Sequence, residues 1–126
     1  MHTLDGFKKF IHKGRSTNPK AVIRKNGQMG FNSGAIGKYD LDLFEFVILY
    51  ISTNKKDRVA IKFTNNDKES GLVKIQKRAG SFAFSAITFL NFNDIDYSET
   101  TNYDFTWIET EKTAIFKPKK RLDNGF

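Results

Sequence analysis

Arg-Val-Ala-Ile-Lys-Phe-Thr (58–64) alternates apolar and polar residues without a break. Side chains in a strand point to opposite faces in turn. Val59, Ile61 and Phe63 therefore share one face, and Arg58, Ala60, Lys62 and Thr64 share the other. Two runs flank this one, Phe-Glu-Phe-Val-Ile-Leu-Tyr-Ile (44–51) and Gly-Leu-Val-Lys-Ile-Gln-Lys (71–77). The later run sets Val73 and Ile75 against Lys74, Gln76 and Arg78. Together they read as an antiparallel meander with an apolar back and a basic front, a surface suited to an anion.

The chain around these runs has 126 residues, the size of one domain. It has no cysteine, which excludes a disulfide framework or a zinc ribbon. Its longest apolar stretch, residues 46–51, is far short of the about 20 residues that span a bilayer. No apolar signal core opens the chain, so a soluble cytoplasmic protein is expected. The net charge is +7 and it is uneven. Residues 1–25 carry seven cations against Asp5, and residues 112–126 carry five against Asp123, while the middle is mildly acidic. Basic ends add long-range attraction to a polyanion, or simply keep the chain in solution.

Residues 1–19 read as a basic extension, with a short amphipathic helix over 4–11 and a breaker before residue 20. Residues 20–111 read as the core. In it, Ala21–Lys25 and Gln28–Asn32 form a hairpin about Asn26-Gly27, and Ser33 caps a helical turn through Tyr39. A fourth central run occupies residues 81–84. Ser85 then caps a helix through about Asn93, written Ala-Ile-Thr-Phe-Leu-Asn-Phe-Asn (86–93), which is apolar over much of its circumference. A helix of that kind lies in a core or at a subunit interface, and Ile87, Phe89, Leu90 and Phe92 are the expected dimer contacts. A last hairpin turns at Glu111-Lys112, and residues 112–126 supply its final strand and a basic tail. The class is α+β, mainly β: a curved antiparallel meander, a short apolar helix that dimerises, and a C-terminal hairpin.

Catalytic constellations are missing from this reading. His2 and His12 have no Cys or spaced carboxylate partner, and Asp94-x-Asp96 reads as a solvated turn before it reads as a magnesium site. No phosphate-binding glycine loop is present. An enzyme, a cofactor, a metal and a small-molecule substrate are all unexpected. What the residues offer is charge and flat rings. Binding single strands without reading sequence needs cations along the backbone and aromatic faces that stack bases. The candidate cations are Arg24, Lys25, Arg58, Lys62, Lys74, Lys77 and Arg78. Phe44, Phe46, Phe63, Phe89 and Phe92 read as interior. Phe31, Tyr50, Phe82, Phe84 and Trp107 are the ambiguous rings, and Phe31 and Trp107 join the candidate site.

The succession of 58–64, 71–78 and the oily helix at 85–93 resembles the family of the transcription coactivator positive cofactor four, which has bacterial and phage relatives and a Whirly-like fold. Ile23-Arg-Lys-Asn-Gly-Gln-Met-Gly-Phe-Asn32, with Val47-Ile-Leu-Tyr50 and Ile61-Lys-Phe-Thr-Asn65, is similar to the prokaryotic members. The resemblance covers about residues 20–110 and implies a homodimer joined through helices, each sheet forming half of a groove for single strands. The expected function is non-sequence-specific binding of single-stranded DNA, holding melted DNA open in replication, recombination, repair or transcription, in a bacterial or phage-infected cell. RNA is not distinguished, since stacking and charge do not sense the 2′-hydroxyl. Two other readings stay open: a duplex-binding regulator of swapped-hairpin type, and a non-enzymatic dimer that binds an acidic protein.

Overall fold

A computed structural model describes residues 18–78 and 81–122. The helix expected over residues 4–11 and the basic stretch around it lie outside the described residues. The first element, β1 (Ala21–Ile23), pairs with β2 (Gln28–Phe31) through the Asn26-Gly27 turn. Gly27 has φ +88°, a left-handed conformation that suits glycine. The Asn26 side-chain oxygen accepts from the Gln28 N–H at 3.0 Å. After β2 the chain enters α1 (Ser33–Tyr39), whose cap is Asn32 rather than the expected Ser33. Its side-chain oxygen accepts from the Ala35 N–H at 2.9 Å.

A 3-10 turn (Leu41–Leu43) leads into β3 (Phe46–Ile51), followed by β4 (Val59–Thr64), β5 (Leu72–Lys74), β6 (Gln76–Arg78) and β7 (Ser81–Ser85). The apolar helix is present as α2 (Ile87–Phe92), though Ser85 belongs to β7 and does not cap it; Ala86 stands at the cap with no side-chain bond. Then come β8 (Thr101–Tyr103), β9 (Thr106–Ile108), a 3-10 turn (Glu109–Glu111) and β10 (Thr113–Phe116).

Every strand pair is antiparallel, and the mainly β, α+β class is what the chain adopts. The strands form two five-stranded sheets, ordered β6-β7-β2-β1-β8 and β5-β3-β4-β10-β9. This is not a single meander. β3 lies between β4 and β5, and the run at 71–77 divides at Ile75. Ile75 is buried, and its N–H donates to the Glu45 carbonyl at 2.9 Å. With that side chain turned inward at a corner, β5 stays in the second sheet while β6 crosses to the first and pairs with β7. A second corner, at Asp104-Phe105, carries the chain from β8 in the first sheet to β9 in the second. Each outer strand of one sheet thus continues into an outer strand of the other, giving a flattened, nearly closed barrel.

The expected C-terminal hairpin forms between β9 and β10, and β10 also pairs with β4, so it is an interior strand of the second sheet. Between the sheets lies an aromatic core. The Phe63 ring centre is 5.4 Å from Phe31, 5.7 Å from Phe44, 5.9 Å from Trp107 and 6.4 Å from Phe82. The β1–β2 turn packs on α2: the Ala86 N–H donates to the Gly27 carbonyl at 3.0 Å. A β-carbon on Gly27 would fall 2.7 Å from that of Ile87.

Two substitutions test this packing by urea unfolding. Phe63→Ala empties the centre of the core and should cost about 3–5 kcal/mol. Gly27→Ala meets both a left-handed backbone and Ile87, and should destabilise by more than about 1 kcal/mol. Wild-type midpoints for both variants would mean that neither contact bears on folding.

Candidate nucleic-acid interface

The register of the second sheet decides which side chains face solvent. Val47 pairs with Phe63 and Val73, and Leu49 pairs with Ile61, so these point to the core. Their neighbours must then point out. Phe46 pairs with Thr64 on one side and Lys74 on the other; Ile48 pairs with Lys62 and Leu72; Tyr50 pairs with Ala60. Arg58, one residue before Val59, extends the outward row, and its N–H is anchored by the Ser52 hydroxyl at 3.1 Å. Ile115 of β10, opposite Ala60, lies on the same side.

This outer face therefore combines three cations, Arg58, Lys62 and Lys74, with two aromatic rings and a floor of isoleucine. Tyr50 is 45% exposed and Phe46 is half-buried. Lys62 stands 3.9 Å from Glu69. Arg58 and Lys74 are exposed and take part in none of the ion pairs among the described residues. The alternation that made Arg58, Lys62 and Lys74 candidates is realised, and these three come together.

Other candidates go elsewhere. Lys77 and Arg78 lie on β6, in the first sheet, because the chain changes sheets at Ile75. They line a cleft of about 490 Å³ with Arg24. Lys25 is exposed beside a different hollow, which also includes Tyr97 and Arg121. Phe31 is 3% exposed, with its ring 5.3 Å from Phe105 as well as against Phe63, so it is a core residue with no face for a base. Trp107 points inward opposite Ala114 and stacks on Tyr39 at 4.8 Å and 24°. Its indole N–H donates to Glu109 Oε1 at 2.8 Å.

Of the helix candidates, Leu90 is fully buried and holds α2 to the core. Phe89 is half-buried, whereas Phe92, read as interior, is 84% exposed, and Ile87 is 43% exposed. Beside them opens a cleft of about 670 Å³ walled by Leu49, Leu72, Val73 and Phe89. The Asn26-Gly27 hairpin is an interior pair of the first sheet.

Tyr50 and Phe46 belong on the outer face, whereas local sequence leaves Tyr50 ambiguous and suggests an interior place for Phe46. The run 46–51 is apolar at every position. Period two groups Phe46 with Ile48 and Tyr50, but only the register with the charged β4 shows which group is outward. Asp94 and Asp96 do not form a shared site: Asp94 is 4.0 Å from Arg121, and Asp96 accepts from the Ser98 N–H and hydroxyl at 2.9 and 2.7 Å. Among the described residues no group of three or more His, Cys, Asp or Glu is placed to hold a metal ion. No helix among them is long and apolar enough to cross a membrane.

Glu109 gives Trp107 a pH-dependent partner. The Lys112 ammonium, and then the Trp107 indole N–H, hold its carboxyl below the usual glutamate value. A depressed carboxylate pKa places the interaction's contribution above that value, and it is lost as pH falls through it. Emission from Trp107, the single tryptophan, should stay constant from neutrality through the ordinary glutamate range and change only below it. Glu109→Gln should remove that step. A midpoint at or above the ordinary value would refute the pairing.

Comparison of the chain with protein-family models, curated proteins and solved structures gives no match.

Proposed function

We propose that this protein binds single-stranded DNA without sequence preference, along the outer face of the second sheet, and holds melted DNA open during replication, recombination, repair or transcription. The observation that carries the reading is the β5-β3-β4 register, which sets Lys74, Lys62 and Arg58 around Phe46 and Tyr50 on one outward face. Cations hold phosphates while exposed rings stack bases, and neither contact reads a base edge. A flat sheet face also suits a single strand better than a duplex. Unpaired bases can be splayed onto it, whereas a duplex hides them and admits a helix or ribbon to its groove.

A homodimer through α2 goes with this reading. Phe92 protrudes next to the apolar cleft walled by Leu49, Leu72 and Val73. A knob and a socket on one patch are self-complementary about a two-fold axis. Two copies joined there would bring two basic faces to one strand.

Anisotropy with labelled oligonucleotides, competed by single-stranded DNA, duplex DNA and RNA across a salt series, tests the binding. Single strands should bind best. Lys62→Glu and Lys74→Glu should weaken all single strands alike, and each cation removed should flatten the log–log salt slope by about 0.7. Tyr50→Ala should lose about 1–3 kcal/mol, the value of one stacked base. Equal or tighter binding of blunt duplex, or unchanged affinity in these variants, would overturn the reading. Light scattering on Phe92→Glu tests the assembly separately: the wild-type mass should be that of a dimer and the variant's that of a monomer.

A further inference from the structure

The cations diverted from the second sheet meet at the first. Arg24 follows β1, Lys77 and Arg78 belong to β6, and all three line the cleft of about 490 Å³. Asp42 is the acidic residue of its lining, and the Asp42 backbone carbonyl accepts from Lys77 Nζ at 2.7 Å. None of the ion pairs among the described residues uses Arg24, Lys77 or Arg78. The cleft is thus left with an excess of positive charge. A second mark is Arg24 Nε, which is closed off from solvent and has no acceptor. A buried donor without a partner is unfavourable, so the half-buried Arg24 side chain gains by turning its guanidinium out to an anionic oxygen in the cleft. The apolar residues of the lining are Ile36, half-buried, and Phe31 and Phe82, whose rings are buried in the core behind it.

We infer that this cleft is a second, separate binding site, for a phosphate monoester that carries a small organic group. A monoester brings close to two negative charges at neutral pH and three acceptor oxygens, against one charge for each diester inside a strand. An arginine fork pairs with two phosphate oxygens at once, and Arg24 and Arg78 supply two such forks. The volume lies within the range of sites for small organic ligands, about 300–1,000 Å³, and half-buried Ile36 gives the organic group an apolar contact beside the cations. Two sources share this chemistry: a free nucleoside monophosphate, and the 5′-phosphorylated end of a single strand. The site uses none of the residues of the outer face of the second sheet, so each stands or falls alone.

Isothermal titration of the full chain with adenosine 5′-monophosphate, adenosine and inorganic phosphate tests it, beside anisotropy with one oligonucleotide carrying either a 5′-phosphate or a 5′-hydroxyl. The monophosphate should bind at least tenfold more tightly than adenosine. Arg24→Gln and Arg78→Gln should weaken it tenfold or more, yet leave the 5′-hydroxyl oligonucleotide within twofold of wild type; Lys62→Glu should do the reverse. A tenfold preference for the 5′-phosphorylated oligonucleotide identifies the strand end as the ligand, and equal binding of the two identifies the free nucleotide. Circular dichroism detects a variant that fails to fold, in which case Lys77→Gln, on an exposed side chain, makes the same comparison. The inference is overturned if neither monophosphate nor phosphate binds at millimolar concentration and the 5′-phosphate has no effect. It is equally overturned if Arg24→Gln weakens the 5′-hydroxyl oligonucleotide as much as Lys62→Glu does, which would make the cleft part of the strand path.

Discussion

Phe63 is surrounded by the rings of Phe31, Phe44, Phe82 and Trp107, contributed by both sheets and by the segments that link them. Tilted and edge-on contacts at these distances add to the area that each ring buries. More important is what the cluster imposes on β4. If Phe63 must point inward, Ile61 and Val59 follow, and Lys62, Arg58 and Thr64 have only the outer face left. Pairing passes the constraint on, to Tyr50 and Phe46 through β3 and then to Lys74 through β5. A slip of one residue would exchange the two faces of every strand involved. The basic face is therefore fixed by the core beneath it.

Closure of the two sheets follows from the same economy of chain. An open sheet exposes unpaired backbone groups along its edges. Here the edge strands turn the corner at Ile75 and at Asp104-Phe105 and go on in the other sheet, so the free edges are short. Ile75 and Phe105 serve both purposes, since each brings an apolar side chain into the core at the bend. The corner at Ile75 also parts Lys74 from Lys77 and Arg78. Three cations within five residues of sequence come to serve different faces, and a distance measured along the chain misjudges them.

The alternation of 58–64 was legible because its polar and apolar residues differ sharply, and the structure keeps each on its expected side. The same holds for the Asn26-Gly27 hairpin, for the short helix after β2, and for α2. Strand order was not legible. Adjacency in sequence suggested that the run at 71–77 would follow its predecessor in space, but both neighbours of β3 are compatible with an antiparallel partner, and the deciding event is a bend at one buried isoleucine. Exposure of aromatic residues was the other weak point. Phe31 stands between Gly30 and Asn32 and Tyr50 between Leu49 and Ile51. Yet it is Phe31 that packs on Phe63 and Tyr50 that looks out beside Ala60, so local context misleads. Register settles this, and register is a long-range property.

The spacing of the outer cations bears on how such a face can work. Arg58, just before β4, and Lys62 within it are four residues apart, about 13 Å at 3.3 Å per residue. Lys74 and Lys62 are two strand spacings and two residues apart, about 12 Å. Both separations exceed the Debye length of about 8 Å at physiological ionic strength. The cations thus repel one another little in the free protein, and in the proposed binding each would take its own phosphate with nothing lost to crowding. The space between them is filled by Tyr50, which is flanked across the strand pair by Ala60, the smallest side chain of the row. A small neighbour leaves the ring's face open. Had Ala60 been a leucine, the same three charges would frame a surface without an open ring, and the face would be basic but would lack the stacking surface that the proposed function requires.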